Sequence, residues 1–265
     1  MGNRKLIMNR REFIKKTYQI GGLAALYSLG LSHSDILAQG IGLMGGGGGF
    51  QETGDTYSDI TMFWTCETAS FGSSDYPTSG VTATFGSLSD LTADAAIIGS
   101  YGLDCPTTFD AATITVTNED LVNGTESRIG FYYYINTWAD ANMLFRVEEA
   151  GDTYVQGELT GGDEILMRWR AGTNLTYSSS AANLSSSQTY YIEYAWNQTA
   201  PYRKIYVDGV EVMSNTDAFT AITPIKILLG NYSSASSDTY QDNIIISNDG
   251  TRDLNAIKAL ESSPK

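Results

Sequence analysis

Histidine is almost absent from this 265-residue chain: His33 is the only one. It falls in a basic leader, so the remainder of the chain has none. A Ser/His/Asp triad, a Cys/His pair and a His-ligated zinc or copper site are thereby excluded from that remainder. Cysteine is limited to Cys66 and Cys105. Their spacing is far from a CxxC redox motif, and one pair cannot build a Cys-only zinc site. Two alternatives stay open, a disulfide or two buried free thiols. Positive charge is also scarce, with 16 Lys and Arg against 30 Asp and Glu, a net of −14. No stretch reaches the roughly 20 apolar residues that a membrane-spanning helix needs.

The charge is unevenly placed. Residues 1–38 carry six Lys/Arg and two Asp/Glu, a net of +4, which leaves −18 on the rest. A domain this acidic has no electrostatic footprint for nucleic acid or anionic lipid. It suits Ca²⁺, which takes carboxylate and carbonyl oxygens.

In the leader, Asn9-Arg10-Arg11-Glu12-Phe13-Ile14-Lys15 is followed by an uncharged, Gly-diluted stretch, Thr17 to Ser32, and by Ile36-Leu37-Ala38. The heptapeptide resembles the twin-arginine export motif, and the order of regions is that of a signal peptide cleaved near residue 38. The resemblance implies the twin-arginine export machinery as a partner. It implies a mature protein in the periplasm, or secreted to the cell surface, with no membrane span. Gly45 to Gly49 then reads as part of a flexible tether over 39–55. A phosphate-cradling loop is excluded there, because no Lys-Ser/Thr follows.

What is present is the language of strands. With 27 Gly, 17 Tyr and much Thr, Ser, Ile and Val, residues 56–265 read as one all-β domain, an antiparallel sandwich. Short β-rich runs are expected at Ile60–Cys66, Gly80–Phe85, Ala95–Leu103, Thr113–Thr117, Ser127–Ile135, Asn142–Val147, Thr153–Leu159, Glu164–Arg170 and Thr189–Trp196. Arg203 to Met213 is a hairpin around Asp208-Gly209, a pair that accepts the positive φ of a type I′ turn. Ile222–Gly230 and Tyr240–Ser247 close the series, and Asp253–Glu261 is the one helical candidate.

Tyr206-Val-Asp-Gly209, Leu229-Gly230 and Asp242 opening the last strand resemble, in that order, the end of LamG-like jelly rolls of the concanavalin A-like lectin/glucanase superfamily. Cys66-Glu-Thr-Ala-Ser-Phe-Gly72 and Gly99-Ser-Tyr-Gly-Leu103 resemble their opening and second strands. The resemblance implies a jelly roll, and a structural Ca²⁺ held by Glu67 and Asp242.

Glucanases of that superfamily set catalytic carboxylates at alternate positions of one strand, so that both reach one sugar ring. No segment here matches. Glu119-Asp120, Glu148-Glu149 and Asp163-Glu164 are adjacent pairs that would face opposite ways, and Glu193 stands alone in its strand. Alternation places Phe131, Tyr133 and Ile135 in the core and turns Tyr132 and Tyr134 outward. Extended to neighbouring strands, it gives an outward row of Tyr132, Tyr134, Arg168, Arg170, Tyr191 and Glu193, the expected ligand-binding surface. Three functions follow: a non-catalytic module that binds a polysaccharide or a cell-surface glycan or protein, a purely structural or protein-binding surface protein, or a glycan-active enzyme with an atypical site.

Overall fold

The computed structural model describes residues 59–71, 75, 81–86, 89–105, 111–115, 121–137, 142–150, 153–160, 164–171, 173–179, 184–230, 238–252 and 254. The leader, the glycine run, most of the expected C-terminal helix and the expected boundaries at residues 38 and 55 lie outside them.

The described residues form fifteen strands: β1 Ile60–Trp64, β2 Ala83–Thr84, β3 Asp90–Thr92, β4 Gly102–Cys105, β5 Ala112–Thr115, β6 Glu126–Thr137, β7 Asn142–Glu149, β8 Thr153–Leu159, β9 Ile165–Ala171, β10 Thr173–Ser179, β11 Gln188–Asn197, β12 Tyr202–Val207, β13 Val210–Asn215, β14 Lys226–Leu229 and β15 Asp238–Ser247. They make two antiparallel sheets. Sheet one runs β13-β12-β11-β6-β15-β4-β3, with β1 also on β15, and sheet two runs β10-β9-β8-β7-β14-β5-β2. Among the described residues there is no helix. The all-β antiparallel sandwich is therefore the fold.

Alternation decides the core. Phe131, Tyr133 and Ile135 of β6, Ile192, Tyr194 and Trp196 of β11, and Phe145 and Val147 of β7 face one another with Ile165, Met167 and Trp169 of β9. Where β8 crosses beneath Tyr194 the sequence supplies Gly157, because a Cβ there would lie 2.6 Å from both Phe145 and Tyr194. The hairpin turn forms as its sequence dictates, with positive φ at Asp208 (50°) and Gly209 (80°).

Sheet one has a second apolar layer on its outer face. Ile60 and Phe63 of β1, Ile97 and Ile98, and Leu254 pack over Tyr132, Tyr191 and Ile245. This corrects the expected strand Ala95–Leu103. Its apolar residues form a loop whose isoleucines cap that layer, and only Gly102–Cys105 pairs as a strand. Strand β10 was not foreseen from its polar sequence.

The last strand lies inside sheet one, with β6 on one side and β4 and β1 on the other. Its first half, Thr239–Gln241, pairs with β4, and its second half, Ile244–Ser247, pairs with β1. Between the halves the register shifts at Asp242, and Asn243 has a φ of 47°.

Candidate functional site

The six residues of the expected ligand-binding row do not form one surface. Tyr132, Tyr134, Tyr191 and Glu193 lie on sheet one, and Arg168 and Arg170 lie on sheet two. Tyr132 and Tyr191, directly opposite in register, are buried beneath the second apolar layer with their rings 5.1 Å apart. Glu193 is fully buried in an ion pair with Arg128, whose guanidinium sits 4.5 Å from the centre of the Tyr206 ring. These four side chains do point away from the space between the sheets, but Tyr132, Tyr191 and Glu193 are covered there. Of the four, Tyr134 alone stays half-buried, stacked on Tyr240 at 5.6 Å.

Next to that pair, Asp90, Asp104, Tyr240 and Tyr134 stand side by side across β3, β4, β15 and β6. Burial first, and then Asp238, Asp94 and Asp90, push the Asp104 carboxyl up to about 6.

Arg168 belongs to a second outward face, which the sequence reading did not assemble. Tyr154, Gln156 and Glu158 alternate along β8 and point away from the core, as Arg146 and Glu148 do on β7 and Lys226 does on β14. Register sets Gln156 between Arg146 and Arg168, and Tyr154 between Glu148 and Arg170. Arg168 meets Glu158 at 2.8 Å, and Gln156 donates to the same carboxylate. The Arg146 guanidinium lies 3.7 Å from the centre of the Tyr154 ring. Glu148 is bracketed by Arg146 at 3.6 Å and Lys226 at 3.4 Å. Although outward, Tyr154, Gln156 and Glu158 are buried. Burial raises the Glu158 carboxyl above its ordinary range, against the pull of Arg168. The face is thus a floor of fixed donors, acceptors and one aromatic ring. The signal for it was the alternation Tyr-Val-Gln-Gly-Glu in a run already read as a strand.

Glu67 and Asp242, the expected calcium ligands, do come together, on the loop that caps the second layer. Asp242 Oδ2 accepts the backbone N–H of Ile97 (2.9 Å) and of Ile98 (2.7 Å), and Oδ1 accepts that of Asn243 (2.8 Å). Glu67 Oε1 accepts those of Ser100 (2.7 Å) and Tyr101 (3.3 Å). Burial pushes the Asp242 carboxyl up to about 7; the three N–H groups oppose the shift and Glu67 adds to it. Such a donor set does not fit calcium, which needs six to eight oxygens turned inward. Here N–H dipoles point at the oxygens instead.

Cys66 and Cys105 are buried thiols not joined to each other, so the disulfide alternative is not the one this structure adopts. Burial, then Asp242 and Asp75, push the Cys66 thiol well up.

No family model matches the chain, and no curated protein matches it. Solved structures do. The receptor-binding domain of the botulinum neurotoxin C/D mosaic serotype matches with a TM-score of 0.60 at 10% identity, over 76% of this chain and 51% of that one. The receptor-binding domain of botulinum neurotoxin D gives 0.57 at 11%, over 76% and 52%. The serotype D ligand-binding domain in complex with N-acetylneuraminic acid gives 0.55 at 12%, over 70% and 47%. The chain spans about half the length of these structures, and at such identity the likeness is one of fold.

Proposed function

We propose that the chain is an exported, non-catalytic binding module of LamG-like jelly-roll type, whose outer face on sheet two takes a glycan. One observation carries the reading. Arg146, Tyr154, Gln156, Glu158 and Arg168 form a pre-set polar floor on an outward face, where a solubilising surface would leave such side chains extended in water. Sugar hydroxyls need donors and acceptors held in fixed directions. The fold likeness to receptor-binding domains, one of them in complex with a sugar acid, supports the same reading. Export through the twin-arginine route would place the module in the periplasm or at the cell surface.

Hydrolysis fits this face poorly. Among the described residues its outward positions carry two carboxylates, Glu148 and Glu158, while Glu149 alternates to the other side of β7. Glu148 lies beside Tyr154, four residues from Glu158 along β8, or about 13 Å at strand rise. That exceeds the roughly 5–9.5 Å over which glycosidase carboxylates act.

The test is binding of residues 39–265 to a polysaccharide panel, with the same samples assayed for released sugar. Arg168→Ala and Gln156→Ala should each weaken binding about tenfold or more, the worth of a charge-assisted or buried hydrogen bond. Binding that survives both changes would remove this face as the site. Binding to no glycan would favour the structural or protein-binding reading.

A further inference from the structure

We propose that Glu67 and Asp242 form a calcium-independent clasp: their carboxylates bind the backbone of the loop Ala95–Tyr101 directly, and so fasten the second apolar layer onto sheet one. β4 and β1 share one side of β15, and the break between them falls at Asp242. A broken ladder leaves buried backbone without sheet partners, and such groups must find others. Asp242 takes one such group itself, the Asn243 N–H, and the two carboxylates take four more from the loop, those of Ile97, Ile98, Ser100 and Tyr101. Two carboxylates offer about eight acceptor positions, so more than half are already filled, each by the positive end of a dipole.

The local backbone is shaped for this contact. Cys66, Gly99 and Asn243 all have positive φ (58°, 77° and 47°), and each stands next to the clasp. A Cβ at Gly99 would fall 2.0 Å from Glu67 Oε1, so only glycine lets the carboxylate come this close. Non-glycine residues at positive φ cost energy and persist where surrounding contacts over-determine them. The clasp holds Ile97 and Ile98, which cover Tyr132 and Tyr191.

The experiment compares thermal melts of residues 39–265 in excess Ca²⁺ and in EGTA. It adds amide hydrogen exchange in EGTA for the wild type, Glu67→Gln and Asp242→Asn. Equal melting temperatures are expected, with Ile97, Ile98 and Ser100 amides protected in EGTA. Protection at Ser100 should fall selectively in Glu67→Gln, a change at a half-buried site that leaves the core intact. Asp242→Asn should expose Ile97 or Ile98, since a carboxamide turns an N–H₂ toward one of the donors. A calcium at a hundred times its Kd would raise the melting temperature by about 5–10 °C. Such a rise in the wild type, lost in Glu67→Gln, would overturn the proposal. So would unprotected Ile97 and Ile98 amides in EGTA. The wild-type comparison stands even if Asp242→Asn does not fold.

Discussion

Replacing Tyr133 by alanine should cost far more stability than the same change at Tyr134. The two are neighbours on β6 and face opposite ways. Tyr133 is fully buried between the sheets and meets Phe131 edge-on at 6.4 Å. Deleting a buried aromatic ring costs about 3–5 kcal/mol, transfer and cavity together. Tyr134 is half-buried, and its main ring contact is the stack on Tyr240. An aromatic pair of that kind is worth about 1 kcal/mol. For a domain of this size each kcal/mol moves the melting temperature by about 2–4 °C. Tyr133→Ala should therefore lose roughly 10 °C, and Tyr134→Ala about 3 °C. Urea titration of both variants checks the order, provided the slope against urea stays that of the wild type. Equal losses, or the reverse order, would mean that the faces of β6 are inverted, and with them the register of β11 and β15 on either side.

Glu193→Ala should destabilise the fold by about 3–5 kcal/mol, because it strands the buried Arg128; it should leave glycan binding untouched, and a binding loss in the folded variant would return Glu193 to the ligand site. Thiol titration of protein purified without reductant should find both cysteines unreactive in the native state and two thiols per chain in guanidinium, as burial of both requires; no thiols after denaturation would establish a disulfide. Stability should fall between about pH 5 and pH 8. Asp242 and Asp104 sit at about 7 and about 6 in the fold against 3.8 for the free side chain. The fold thus holds protons that the unfolded chain releases, and that contribution is full below about pH 4 and lost as pH rises through 6 to 7. Glu67 faces Asp242, and Asp90, Asp94 and Asp238 face Asp104; all favour the proton. A melting temperature that climbs from pH 5 to pH 8 would contradict this.

The sandwich was legible because alternation and turn chemistry are local. Asp208-Gly209 specifies its hairpin, and the Phe131/Tyr133/Ile135 face declares itself within five residues. The candidate site was less legible, for two reasons. Alternation says which way a side chain points, but not what lies above it, so Tyr132, Tyr191 and Glu193 read as surface. What buries Tyr132 and Tyr191 is a loop and β1, whose sequences lie far from them. Nor does alternation say which sheet a strand joins. Arg168 was therefore grouped with Tyr134 across the whole thickness of the sandwich, while its real neighbours, Gln156 and Glu158, stood in a strand already identified. Glu67 and Asp242 do reach the same loop, yet their partners there are backbone N–H groups, which no side-chain pattern records.

The last strand carries a consequence for how the chain acquires its shape. Strand β15 touches β6, β4 and β1, and Ser247 donates to Asp59 at 2.6 Å across 188 positions of sequence. Three elements made early wait for one made late, so the middle of sheet one stays open until β15 has left the ribosome. Assembly of this kind is slow, because distant segments must meet before any contact rewards them. A carrier that accepts only finished folds would suit a domain with such a schedule, since threading it unfolded would mean bringing these same distant strands together again on the far side.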